Sequence, residues 1–145
     1  MEILDKDAPS IGEVRSWLHE INPHYDPYDM RYCMNCGSCA LAVYQRLSGK
    51  MDAVAGPYSL TIPEMEKATG KLQVPMSPVE IGDTLRAQGP GAFAVVGIDR
   101  AEGPGHWFCA YCPDGEHVYA LDGQSGEVRG WPPDYGKVNN WDMSV

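Results

Sequence analysis

Three residue types in this chain could together open an amide bond: a thiol as nucleophile, an imidazole as base, and a carboxylate to orient the imidazole. Cys33, Cys36 and Cys39 lie at intervals of three, and Asn35 is a good N-cap for a helix whose first residue is Cys36. A helix N-terminus favours a thiolate, because unpaired N–H groups and the macrodipole point at the anion. One and two turns beyond Cys36 stand Cys39, Ala40, Val43 and Leu47, all small or apolar, so Cys36 shares the buried face. Cys39 would instead have Ala42, Val43 and Arg46 as neighbours and put a charge on the inward stripe. Cys36 is therefore preferred, with Cys39 as the alternative nucleophile.

The imidazole and the acid come from a hairpin. Two aromatic-rich segments, His106 to Cys112 and His117 to Asp122, flank Pro113-Asp114-Gly115, which suits a three-residue loop with Gly in the left-handed region. Pairing Cys112 with Glu116 sets Ala110 against Val118, Phe108 against Ala120 and His106 against Asp122. Directly opposed residues on one face have Cβ atoms about 4.5 to 5.5 Å apart, close enough for a carboxylate to hold one ring nitrogen. The Cys36 N–H, with a side-chain amide from Gln124 or Asn35, could then receive the oxyanion of a tetrahedral intermediate.

The elements that must position these groups read in order. Ser10 with Glu13 is a capping box, and Ile11, Val14, Trp17, Leu18 and Ile21 have helical spacing, which predicts a helix from Ile11 to Ile21. Pro23 to Tyr32 reads as a loop, and Ala40 to Leu47 continues the helix begun at Cys36, closed by Gly49. Thr61, Pro63 and Glu64 predict a helix ending before Gly70, and Ser77, Pro78 and Glu80 another ending at Gly89. Beyond Gly91 the pattern changes to strands: Ala92 to Ile98, the two hairpin segments, and Val128 to Trp131. Helices followed by an antiparallel sheet make the expected class α+β.

At 145 residues the chain is one domain, 1–145. Its net charge of −9 would repel a polyanion, which argues against a nucleic-acid partner. No apolar run is long enough to span a bilayer, and Met1 to Ser10 lacks the basic and apolar regions of a signal peptide, so a soluble protein without membrane insertion is expected. Five cysteines cannot all pair with one another, so at least one thiol is left over. His19, His24 and His117 read as surface or loop residues, while Trp107, Tyr111 and Tyr119 form the second face of the hairpin.

The sequence resembles the papain-fold toxin domains of the protein-glutamine deamidase type. The likeness runs through Trp17, Leu18 and Ile21-Asn22-Pro23, the segment Asn35-Cys36-Gly37-Ser38-Cys39-Ala40 with Leu47 and Gly49, the glycine before His106, and Asp122-Gly123-Gln124-Ser125-Gly126. The resemblance implies a papain-like cysteine-hydrolase fold with N-terminal helices packed on the sheet, Cys36 as nucleophile, His106 as base and Asp122 as orienter. It also implies a bacterial effector or toxin that reaches a host or competitor cell's cytoplasm and converts a glutamine of a target protein to glutamate. An inhibitor, or immunity, protein is a further implied partner, and the chemistry needs neither cofactor nor metal. The run Cys36-Gly37-Ser38-Cys39-Ala40 is also similar to the active-site run of papain, in which the second cysteine is catalytic, and this keeps Cys39 open.

Rival readings use the same residues. A peptidase or a transglutaminase would share the triad. A noncatalytic zinc-binding module would use Cys33, Cys36 and Cys39 with His106, Cys109 and Cys112, whose spacings fit tetrahedral sites. Against the module, successive strand residues alternate faces, so Cys109 is turned away from His106 and Cys112.

Overall fold

The computed structural model describes residues 8–145. Three of its helices begin with a complete capping box, in which a hydroxyl accepts from the third helical N–H and a glutamate returns the bond. These are α1 (Ile11–Leu18, from Ser10 and Glu13), α4 (Ile62–Thr69, from Thr61 and Glu64) and α5 (Pro78–Gln88, from Ser77 and Glu80). The first ends one turn earlier than its apolar spacing predicts, although Ile21 is still fully buried beyond it. A short helix, α2 (Met30–Cys33), begins within the segment read as loop and ends at the first cysteine, and its Asp29 cap accepts from the Arg31 N–H. The long helix α3 (Cys36–Leu47) starts at Cys36 as expected.

The strands are β1 (Gln73–Pro75), β2 (Ala92–Arg100), β3 (His106–Cys112), β4 (Tyr119–Asp122), β5 (Glu127–Gly130) and β6 (Val138–Ser144). They form one antiparallel sheet in the order β1-β6-β2-β3-β4-β5, and with the helices this is the α+β class expected. Strands β1 and β6 did not register in the sequence. The first has three residues and ends in a proline, and the second carries Asn139-Asn140, a pair of residues depleted in strands.

Each sheet face has its own core. On one, α1 and α3 press Val14, Leu18, Val43 and Cys39 against Val95, Cys109, Tyr111 and Leu121. On the other, Ile81 and Leu85 of α5 meet Phe108, Ala110, Ala120 and Met143. Burying each large side chain of this kind contributes about 1.5 to 3 kcal/mol. Trp107 and Tyr111 belong to the first core, so the second hairpin face packs on the early helices. The three histidines expected at the surface, His19, His24 and His117, are exposed.

Two expectations are corrected. The β3–β4 register sets Cys109 against Leu121, Ala110 against Ala120 and Tyr111 against Tyr119, two residues along from the predicted pairing. The cause is Asp114, whose Oδ1 accepts from the N–H groups of both Glu116 (2.9 Å) and His117 (2.7 Å) and so lengthens the turn. A shift of two preserves the face, so by this register His106 and Asp122 become diagonal neighbours instead of direct opposites. The second concerns Arg46, expected to be unwelcome on the inward stripe. It is buried, donates from Nε to the Ala53 carbonyl at 2.7 Å, lies 3.4 Å from Glu20 and stacks over the Trp17 ring.

Candidate active site

Cys36 is the first residue of α3, His106 the first of β3 and Asp122 the last of β4, so three element ends meet at one end of the sheet. Cys36, His106 and Gln124 line one cleft of about 370 Å³, together with Ser59 and Arg100. His106 is 8 % exposed, and its Nε2 lies 2.8 Å from Asp122 Oδ2. With Nε2 committed to the carboxylate, Nδ1 is the ring nitrogen left for the thiol.

Every lone-pair direction of Asp122 is used. Oδ1 accepts from the backbone N–H groups of Gln124 (3.0 Å) and Ser125 (3.1 Å), and Oδ2 takes the Tyr135 hydroxyl at 2.6 Å in addition to the imidazole. Burial opposes the Asp122 charge, yet the His106, Tyr135 and backbone bonds outweigh it and hold the carboxyl down at about 2. Burial likewise works against a charged His106, and the bonds to Asp122 and Cys36 overcome it, raising the imidazole to about 9. The Cys36 thiol is pushed up by burial and pulled down further by His106 and by Ser59, so it lies below the ordinary thiol value. These directions together favour a thiolate facing an imidazolium, as a tightly coupled pair.

Cys39, one turn further along α3, differs in every respect. It is fully buried, and burial followed by the nearby charges of Cys36 and Asp122 drives its thiol far upward. Cys109 is also fully buried, with its Sγ donating to the Ala40 carbonyl at 3.3 Å, and its thiol is raised by burial. Cys112 faces the opposite core. The two cysteine groups are thus dispersed, and among the described residues no set of three or more His, Cys, Asp or Glu side chains is gathered to hold a metal, as the zinc reading would require.

Gln124 and Asn35, the two candidate oxyanion donors, sit in different surroundings. Gln124 lines the cleft and gives one Nε2 hydrogen to the Cys33 carbonyl at 3.0 Å. Asn35 is fully buried and does not cap α3 with its side chain as expected. Its Nδ2 donates to Asn22 Oδ1 (2.9 Å) and to the Gly56 carbonyl (3.0 Å), so both amide hydrogens tie the helix start to neighbouring loops. The physical reason is burial: an amide removed from water must find its partners inside.

Two residues of the site escaped the sequence reading. Ser59 Oγ accepts the Gly37 N–H at 3.0 Å and lies 3.6 Å from Cys36 Sγ. Tyr135 bonds Asp122 and packs its ring 5.0 Å from that of His106. Both lie in irregular segments, where neither periodicity nor spacing gives a signal. The approach of the elements is set by two positions without side chains. A Cβ on Gly37 would come within 2.5 Å of the Leu60 nitrogen, and one on Gly123 within 2.9 Å of Val43 Cγ2 and 3.0 Å of the Cys39 carbonyl oxygen.

A family model described as papain fold toxin 1, glutamine deamidase, aligns with residues 34–127, a span that holds Cys36, His106 and Asp122 and stops short of Tyr135. No curated protein and no solved structure gives a significant match.

Proposed function

Given that the chain belongs to the papain fold toxin 1, glutamine deamidase family, we propose that Cys36, His106 and Asp122 carry out the deamidation of a glutamine side chain on a target protein. The Cys36 thiolate attacks the carboxamide carbon, and the resulting oxyanion is received by the Cys36 N–H and the free Nε2 hydrogen of Gln124. His106, as imidazolium, gives its proton to the departing amide nitrogen, which leaves as ammonia and a thioester. A water molecule then surrenders a proton to the neutral His106 and attacks the thioester carbon, releasing glutamate and regenerating the thiolate and imidazolium. Asp122 fixes the ring orientation throughout. No cofactor enters any step.

The observation that carries this reading is the 2.8 Å bond from His106 to a fully satisfied Asp122, with Cys36 in the same cleft. The conversion adds one negative charge to the target, and a single added charge at a contact surface can inactivate a larger protein. On this reading residues 1–145 act as one catalytic domain, delivered to a foreign cytoplasm and held in check by an immunity protein in the producing cell. No helix among the described residues is long and apolar enough to cross a membrane. Intact-mass analysis of lysate proteins exposed to the active protein should reveal targets heavier by about one dalton per event, with none for the Cys36→Ala variant. New amine termini in place of released ammonia would identify a peptidase, and lysine-linked adducts a transglutaminase.

A further inference from the structure

The cleft that holds Cys36 adjoins a second cavity of about 240 Å³, and the two share Gly105 and His106 as a common wall. The loop that supplies Ser59 to the first continues directly into Leu60, Thr61 and Ile62 of the second. Trp107, pinned by its Nε1 bond to the Leu60 carbonyl at 3.0 Å, closes the second cavity from the sheet side. A chain laid across the Gly105–His106 saddle would therefore place residues on the two sides of its glutamine in different surroundings, one beside Cys36 in the thiol lobe and one in the second lobe.

The lobes carry opposite charge. Apart from the imidazolium of His106, which both lobes share, Arg100 is the cation lining the thiol lobe, in a chain whose net charge is −9. Its Nε is occupied by the Pro104 carbonyl at 2.9 Å, while its two Nη groups have no partner among the described residues. The second lobe is lined by Asp99 and Asp142, with Asn140 between them on β6 and no Lys or Arg. Asp142 Oδ1 is held by Gln73 Nε2 at 2.6 Å, and neither aspartate forms an ion pair among the described residues. The apolar Leu60, Ile62 and Trp107 beside these acids suit the methylene stem of a long basic side chain.

We infer that this cavity pair selects, as substrate, a glutamine flanked by an acidic residue on one side and a basic residue on the other, with Arg100 receiving the acid and Asp99 with Asp142 receiving the base. The inference rests on the deamidase reading, since it takes the glutamine to lie at Cys36. Charge complementarity of this kind sets specificity and orientation more than overall affinity. It gives the cleft a polarity, so that only one direction of the target chain satisfies both lobes.

Binding of blocked peptides to the Cys36→Ala protein tests this without any turnover. The probes are Glu-Gly-Gln-Gly-Lys, its reverse Lys-Gly-Gln-Gly-Glu, and Ala-Gly-Gln-Gly-Ala, measured by calorimetric titration. One charged order should bind about fivefold more tightly than the neutral peptide and the other more weakly, as expected for partly exposed ion pairs. The double exchange Arg100→Glu with Asp99→Lys should reverse that order, and Asp99→Lys alone, at an exposed position, should erase the preference for the lysine. Equal affinity for the three peptides, or a preference untouched by the exchanges, overturns the inference. Ammonia release from the neutral peptide by the wild-type protein tests the deamidase reading separately, so the two can fail independently.

Discussion

One helical turn separates two thiols of identical covalent structure. Cys36 is half-buried at the helix start, with Ser59 Oγ and the imidazole of His106 beside it, and its proton is loosened. Cys39 is sealed in the core, faces the negative influence of Cys36 and Asp122, and its proton is tightened. The difference teaches that the environment, not the residue type or the helix alone, decides which sulfur holds its proton more loosely: both sit in the first two turns of α3.

The strongest way to break that comparison is chemical. Iodoacetamide should modify Cys36 near neutral pH and leave Cys39 untouched in the folded protein, with Cys36→Ala abolishing both the labelling and, by about a thousandfold or more, the deamidation. Peptide mapping of the alkylated protein checks this, and label on Cys39 would reverse the assignment. The pH profiles sharpen it. His106 is raised to about 9, so above that pH the imidazolium that protonates the departing nitrogen is lost while the thiolate persists. Turnover should therefore fall on the alkaline side while alkylation does not, and on the acid side both should fall as Cys36 takes up its proton.

Next in size is Asp122→Asn, which leaves the ring without its anionic partner and permits the wrong tautomer. A loss in kcat of about a hundredfold to a thousandfold, with the fold intact by circular dichroism, is expected. Tyr135→Phe removes one hydrogen bond from Asp122 and keeps the ring packing on His106, so kcat should drop by about tenfold with little change in KM. The alkaline limb should move with it, a shift that loss of packing alone would not produce. The smallest effect belongs to Cys39→Ala: stability lowered by about 1 kcal/mol in a denaturant titration, through loss of a buried sulfur, with turnover kept within about twofold. A collapse of turnover there would make Cys39 the working thiol.

Much of the scaffold was legible. The three capping boxes announced their helices because the signal is local, two residues meeting across one turn. The start of α3 at Cys36 was legible for the same reason, although Asn35 turned its amide inward to Asn22 and Gly56 and did not cap. Facing of His106 and Asp122 survived a wrong register because side chains alternate with a period of two, so an error of two costs nothing in parity. What stayed hidden is one choice among local bonds and a set of contacts between distant residues. The lengthened turn depends on Asp114 choosing two N–H partners, Arg46 is tolerated inside because a carbonyl, a glutamate and an indole converge on it, and Tyr135 reaches Asp122 from a stretch with no periodic pattern. Strand β6 owes its place to pairing with β1 and β2 rather than to its own composition.

Gly123 follows Asp122 and leaves no space for even a methyl group against Val43, Ile21 and the Cys39 carbonyl. The acid and the thiol are thus ruled into alignment by bare backbone, the way a dovetail joint fixes two boards without glue. On such a joint the turn that carries the acid cannot seat on the helix at a slightly different height: any side chain at this point would lift Asp122 away from the start of α3.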